Sequence, residues 1–209
     1  NPAMIANYWP IVERLGVTVA GAVPTSIAPI LDVPRTASLA SLRCAVTGSA
    51  PIPRALAERF VRETGVKLHE ILGMTESGGV TAIDPARGEP SFSSVGFRMP
   101  YMQLRVRRSL PDGSLGEDCA VGEVGRLFVQ GPNVSPGYKD ASQNANTFVD
   151  GGLDAGDLAY LDAQGKVYIA GRAKDVIIRS GHNIDPGMIE DVMTRHPDVV
   201  YAAAVAQPD

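Results

Sequence analysis

The chain's 209 residues, 44% hydrophobic and 20% charged with a formal net charge of −4, have the composition of a globular protein with room for one large or two small domains. Its basic residues are scattered, with only Arg105, Arg107 and Arg108 close together, which argues against nucleic acid as a partner. No apolar run approaches the ~20 residues of a membrane span, and no signal peptide is visible.

In chain order, MIANYWPIVERL (4–15) reads as a helix in which Pro10 sits near the start or makes a kink. GVTVAGAVPT follows as a buried strand closed by Pro24, and SIAPILDV as a short helix broken by Pro29 and Pro34. LRCAVTGSA (42–50) is a second buried strand. PIPRALAERFVRETG is a helix with Pro53 in its first turn, Leu56 and Phe60 spaced i,i+4, and Gly65 at its stop. VKLHEIL is a third strand, so residues 17–72 alternate strand and helix, as a parallel α/β layer does.

After Gly79 the texture changes. MQLRVRR, EVGRLFVQG, LAYLD and KVYIAG read as strands without long helices between them. Turn signals at 111–113, 151–152 and 163–165 separate them, as in an antiparallel sheet or small open barrel. Alternation along MQLRVRR sets Arg105 and Arg107 on one solvated face. Beyond GRAKD (171–175), VIIRSGHNI reads as a hairpin, PGMIEDVMTRH as a helix with Pro186 in its first turn, and VVYAAAVA as a strand. These open a small α+β unit.

Two cysteines are too few for a disulfide scaffold, so a reducing, cytoplasmic setting is expected. Cys44 lies in an apolar run and reads as a small packed hydrophobe, Cys119 in a polar loop. The three histidines have no metal-ligand spacing. The chain starts at Asn-Pro-Ala and stops just after an apolar run, and both ends read as cuts in a longer protein.

Ligands of open α/β sheets bind beyond the carboxyl ends of the strands. Two such ends carry small or polar residues. In TGSAP, Gly48, Ser49 and Ala50 would let a flat ligand approach the backbone; an ordinary strand-to-helix turn would look the same. In GMTES, Thr75 could donate to a phosphate oxygen and Glu76 hold a hard cation; a capped turn is the alternative. Asp157, in LDAGDLAYLD, suits the hydroxyl pair of a sugar, or its own turn backbone. GRAKD offers Arg172 and Lys174, or a charged linker.

Together and in this order, these segments resemble one family, the adenylate-forming enzymes: acyl-CoA synthetases, adenylation domains of peptide synthetases, and luciferases. The resemblance rests on GVTVAGAVPT, VTGSAPIPRAL, LGMTES, GEVGRLFVQGPNVSPGY and, longest, LDAGDLAYLDAQGKVYIAGRAKDVIIRSGHNIDPGMIE. It covers nearly the whole chain. Three positions depart from the family pattern: Leu72 stands where an adenine-stacking aromatic is usual, Ile71 where a small residue is usual, and Gly187-Met188 where a Glu is common.

The resemblance implies the back part of a large AMP-binding domain over 1–173, with an α/β layer to residue 90 and a β-rich barrel section from 91. A hinge and a truncated small α+β domain would follow from 174. It implies activation of a carboxylic acid by ATP and Mg²⁺ to an acyl-adenylate, then thioester formation with coenzyme A. Thr75 would contact phosphate and Glu76 would hold Mg²⁺. Gly48, Ser49, Ala50, Leu72, Gly73 and Met74 would line the nucleotide. Asp157 and Arg172 would meet the ribose, and Lys174 would be the hinge. Ser180 and Gly181 would border the pantetheine of coenzyme A; a plain hairpin turn also explains Gly181. The family's phosphate loop would lie upstream of Asn1 and its catalytic lysine beyond Asp209, so this piece alone would be inactive.

Gly21, Ala22, Val23 and Thr25 would line the acyl pocket, and being small or apolar they suit a fatty or other apolar acid; core packing explains Ala22 and Val23 equally well. Two other readings stay open: an enzyme that loads an amino or aryl acid onto a carrier protein, and a nucleotide-binding module without catalysis. A homodimer is compatible with all three.

Overall fold

A computed structural model describes residues 2–85, 91–179, 182–184, 186–194, 196, 198–199 and 202–207. The chain forms two compact units, one holding residues up to Leu72 together with Ile83–Gly96, the other Gly73–Ala82 and the chain from Phe97 onward.

The first unit is the expected α/β layer. Helices α1 (Pro2–Ala6) and α2 (Tyr8–Arg14) take the place of one continuous helix. The break at Asn7 leaves Pro10 in the first turn of α2, where its missing N–H costs little. Strand β1 (Val19–Gly21) leads to α3 (Pro24–Asp32), and Pro24 both closes the strand and opens the helix. Contrary to expectation, α3 continues through Pro29. Burial of Ile27 and Ile30 on either side of it holds the helix together across the lost hydrogen bond.

Strand β2 (Cys44–Thr47) precedes α4 (Arg54–Thr64). Pro53 is the N-cap of α4 rather than part of its first turn, because its extended ψ of 130° lies outside the helix. Gly65 ends α4 in the left-handed conformation (φ 70°), as the glycine predicts. Strand β3 (Leu68–Met74) runs two residues beyond the expected end. Strands β1, β2 and β3 pair in parallel, Gly21 opposite Val46 and Thr47 opposite Glu70. Trp9, Val12, Ile27, Ile30, Leu42, Ala45, Phe60 and Leu68 make the core, and the Trp9 indole donates to the Ile30 carbonyl at 2.9 Å. Cys44 is buried here, as its apolar context predicts.

The second unit begins with the tip of β3, a single 3₁₀ turn over Thr75–Ser77, and β4 (Gly79–Ile83). Next come β5 (Phe97–Arg98), β6 (Gln103–Ser109), β7 (Leu115–Asp118), β8 (Gly125–Gln130), β9 (Phe148–Val149), β10 (Gly152–Leu161) and β11 (Val167–Arg172). Six of these form the expected antiparallel sheet, in the order β11-β10-β8-β6-β7 with β9 on β10. Its core is Leu104, Val106, Leu127, Phe128, Val129, Leu153, Ala159 and Val167.

Arg105 and Arg107 do share a face, but it is not simply solvated. Both guanidinium groups lie 5.1 Å from the Phe128 ring centre, and the Arg107 side chain is largely covered. Their aliphatic stems and planar heads shield the ring.

Strands β12 (Ile177–Arg179) and β13 (His182–Ile184) pair as the expected hairpin, followed by α5 (Pro186–Met193). The strand expected over 199–206 does not form among the described residues of that segment. It has no ladder partner there; the Ala204 N–H is taken by the Glu190 carboxylate at 3.0 Å. No helix among the described residues is long and apolar enough to cross a membrane.

Candidate functional site

In the first unit, the carboxyl ends of β1 and β2 lie side by side in the parallel sheet. Gly21, the last residue of β1, and Val23 and Thr25 just beyond it are exposed, and Ala22 is half-buried with its N–H on the Val46 carbonyl at 3.2 Å. Thus Ala22 serves the core, while the other three face outward.

Beyond β2 the chain turns through Gly48, with Ser49 at φ 72° and exposed, as is Ala50. A Cβ at Gly48 would stand 2.6 Å from Ile71 Cγ1 and 2.8 Å from the Ile71 carbonyl, so glycine is what lets this loop close onto β3. Leu72, half-buried, is the last residue of this unit on β3.

Two side chains of β3 make ties that sequence reading does not find. The Glu70 carboxylate accepts from the Ile52 N–H at 3.4 Å, holding the end of the same loop. Burial pushes its pKa up to about 7, against the opposing effect of the Ile52 and Ser93 N–H groups. His69 is fully buried, with Nδ1 3.1 Å from Asp84, which also accepts the Ser91 N–H at 3.0 Å. Its Nε2 has no partner among the described residues. The partners come from a segment without periodicity, 15 residues away, so no local pattern announces them.

In the second unit, Thr75 is exposed and Glu76 half-buried on the 3₁₀ turn. Three things pin this turn. The Gly78 N–H returns to the Thr75 carbonyl at 3.1 Å, the Ser77 hydroxyl lies 3.0 Å from the Met74 carbonyl and 3.2 Å from that of Gly79, and Ser77 is fully buried. A Cβ on Gly73 would collide with the Gly79 backbone. Thr75 and Glu76 are therefore presented by a rigid turn, with the adjoining Met74 half-buried.

Glu76 does not stand alone. Tyr138 Oη donates to its Oε1 at 2.6 Å, and the Ser135 N–H donates to its backbone carbonyl at 2.7 Å. Tyr138 closes the segment GEVGRLFVQGPNVSPGY, and that position was the available signal for it.

Asp157 and Arg172 lie opposite each other on β10 and β11, with Arg172 Nε 3.0 Å from Asp157 Oδ1. The Asp157 side chain is 10% exposed, the Arg172 side chain 55%. Burial raises the Asp157 pKa; Arg172 opposes this and Asp154 adds to it. Asp154 is itself buried in an ion pair with Arg126. Gly156 (φ 69°) gives β10 the bend ahead of Asp157, and the Ala173 N–H closes onto its carbonyl at 3.0 Å. Lys174 is exposed in the turn that follows β11. Ser180 and Gly181 lie outside the described residues.

A model of the AMP-binding enzymes matches residues 1–139. The chain belongs to the AMP-binding enzyme family. Among curated relatives, it is 41% identical over 211 residues to the marinolic acid–CoA ligase of Pseudoalteromonas sp. (strain SANK 73390), covering all of this chain and 32% of that protein. It is 37% identical over 206 residues to the sulfoacetate–CoA ligase of Cupriavidus necator, covering 97% of this chain and 39% of that one. Among solved structures, it superposes with a TM-score of 0.83 and 31% identity on the o-succinylbenzoate CoA synthetase of Bacillus subtilis in complex with its acyl-adenylate intermediate, covering 98% of this chain and 41% of that one. This AMP-binding enzyme chain thus spans about two-fifths or less of the relatives it matches, and the α/β layer and antiparallel sheet are theirs in fold.

Proposed function

We propose that this chain is part of an acid–thiol ligase, which activates a carboxylic acid with ATP to an acyl-adenylate and then passes the acyl group to coenzyme A. The observation that carries this reading is the arrangement on one unit of two anion- and sugar-matched pairs. These are Thr75–Glu76 on a rigid turn and Asp157–Arg172 across a strand ladder.

In the proposed roles, Asp157 accepts from the ribose hydroxyls while Arg172 holds the carboxylate in place and ionised. Thr75 donates its hydroxyl to phosphate. On the same unit, Gly73 and Met74 border the nucleotide. In this reading the hinge and a small domain begin at residue 174, with Lys174 as the residue whose torsions change between the two half-reactions.

The chemistry of Glu76 fits Mg²⁺ held together with the triphosphate. No cluster of three or more His, Cys, Asp or Glu gathers among the described residues. A cation at Glu76 would therefore take its remaining ligands from phosphate oxygens and water, the usual manner of Mg²⁺. Bound there, it would neutralise charge developing at the α-phosphate. Glu76 supplies one ionised oxygen for it and fixes its position through the turn.

For the acid we propose a fatty or other apolar one, supported by the lack of charge at the outward-facing Gly21, Val23 and Thr25. ATP–pyrophosphate exchange by the intact protein, with a panel of fatty, aryl, short polar and amino acids, tests both levels. Exchange with an apolar acid and coenzyme A-dependent thioester formation are the expected result. Strict dependence on an amino acid would overturn the assignment to coenzyme A ligation.

A further inference from the structure

Tyr138 makes a contact that none of the proposed roles uses. Its hydroxyl donates to Glu76 Oε1 at 2.6 Å, the length of a charge-assisted hydroxyl–carboxylate hydrogen bond. The Glu76 carboxylate in turn holds the Tyr138 hydroxyl above the usual phenol range.

The tyrosine is itself held from several sides. Its N–H donates to Asn144 Oδ1 at 2.8 Å, and its ring meets Phe148 edge-on with 5.2 Å between centres. In the same segment, the Thr147 carbonyl accepts the Asp154 N–H of β10 at 2.8 Å. From the other side, the segment that ends in Tyr138 braces the turn once more, through the Ser135 N–H on the Glu76 carbonyl, and the Asn133 carbonyl lies so close over Gly78 that a Cβ there would meet it.

We infer that Tyr138 is a positioning residue for Glu76: it occupies one carboxylate oxygen and fixes the rotamer, so that the other oxygen is presented to a phosphate-bound divalent cation. The physical reason is the monodentate geometry that Mg²⁺ prefers. A carboxylate with one oxygen already satisfied offers one oxygen in one direction, and little side-chain entropy is lost when the cation arrives.

This inference rests on the proposed cation role of Glu76, and calorimetry of ATP binding to the intact protein, with and without Mg²⁺, separates the two. Wild-type protein should bind ATP more tightly with Mg²⁺ present. Tyr138→Phe should lose about tenfold of that Mg²⁺-dependent gain, the scale of a hydrogen bond to a charged group, while its affinity for metal-free ATP stays within about twofold. Phe148→Leu, which removes ring packing and keeps the hydroxyl, should retain the gain. Glu76→Gln should lose the gain as Tyr138→Phe does, or more.

If Tyr138→Phe keeps the full gain while Glu76→Gln loses it, the positioning role is wrong and the role of Glu76 stands. If Tyr138→Phe weakens metal-free ATP binding equally, the tyrosine is merely structural and the inference fails. If Glu76→Gln keeps the gain, or wild type shows none, the cation reading itself falls.

Discussion

Asp157 and Arg172 meet across the β10–β11 ladder with 3.0 Å between Oδ1 and Nε, one side chain almost enclosed and the other half in solvent. The asymmetry decides what the pair does. Arg172 loses little hydration by standing there, whereas Asp157 is desolvated and needs the guanidinium to remain ionised.

Replacing Asp157 by Ala in the intact protein should raise the Kd for ATP about 10–100-fold, as for loss of one hydrogen bond to a charged group. More tellingly, wild-type protein should discriminate ATP from 2′,3′-dideoxy-ATP and the variant should not. A variant that still discriminates would remove Asp157 from the ribose.

Arg172→Ala should act through pH. Without the cation, nothing offsets the burial that already raises the Asp157 pKa. The acid limb of nucleotide binding should therefore move to higher pH, with affinity recovering toward that of wild type as pH rises. Binding titrations across the acidic range check this; an unmoved limb rules it out.

Glu76→Ala should lower ATP–pyrophosphate exchange by at least about a hundredfold, the scale of several kcal/mol of charge stabilisation by a metal ion. Stability should change by no more than about 1 kcal/mol, because the side chain is only half-buried and bonds to an exposed tyrosine. Denaturant unfolding beside the exchange assay separates the two effects.

Glu70 predicts how stability varies with pH. Its carboxyl titrates near 7 in the native state, against an ordinary value of 4.5. Between those limits the native state binds more protons than the unfolded one, so this group's contribution is complete below pH 4.5 and is lost as pH rises through 7. Glu70→Gln should remove that slope, amounting to about 1–3 kcal/mol between pH 4.5 and 8. Urea unfolding of wild type and variant at both ends of the window measures it.

Much of the first unit is legible in the sequence because its signals are local. Apolar runs mark β1, β2 and β3, and Gly65 stops α4 by the left-handed turn a glycine allows. Proline was the poorer guide. Pro29 removes one hydrogen bond, but Ile27 and Ile30 anchor the helix through it, and tertiary packing outweighs propensity. Strands β4, β5, β7 and β9 escape notice because two to five residues carry no periodicity. The apolar run at 199–206 has strand composition, but composition supplies no ladder partner.

The site divides in the same way. Thr75, Glu76, Asp157 and Arg172 stand at fixed places in recognisable segments, so type and order point to them. Glu70, His69 and Tyr138 act through partners that folding brings from 15 to 62 residues away. Such pairings leave no trace in a linear pattern.

The bend of β10 at Gly156 goes with a shift of register against β8, which has a further meaning for how this chain can change. Asp154 lies opposite Phe128 and Leu158 opposite Arg126, so three residues of β10 stand against one of β8. The surplus is even, and the inside–outside alternation resumes in phase after it. Losing a single residue between Asp154 and Leu158 would turn over either Asp157 or every side chain that follows. At this place the chain can tolerate altered letters far better than altered length, and a deletion would be the more damaging inheritance.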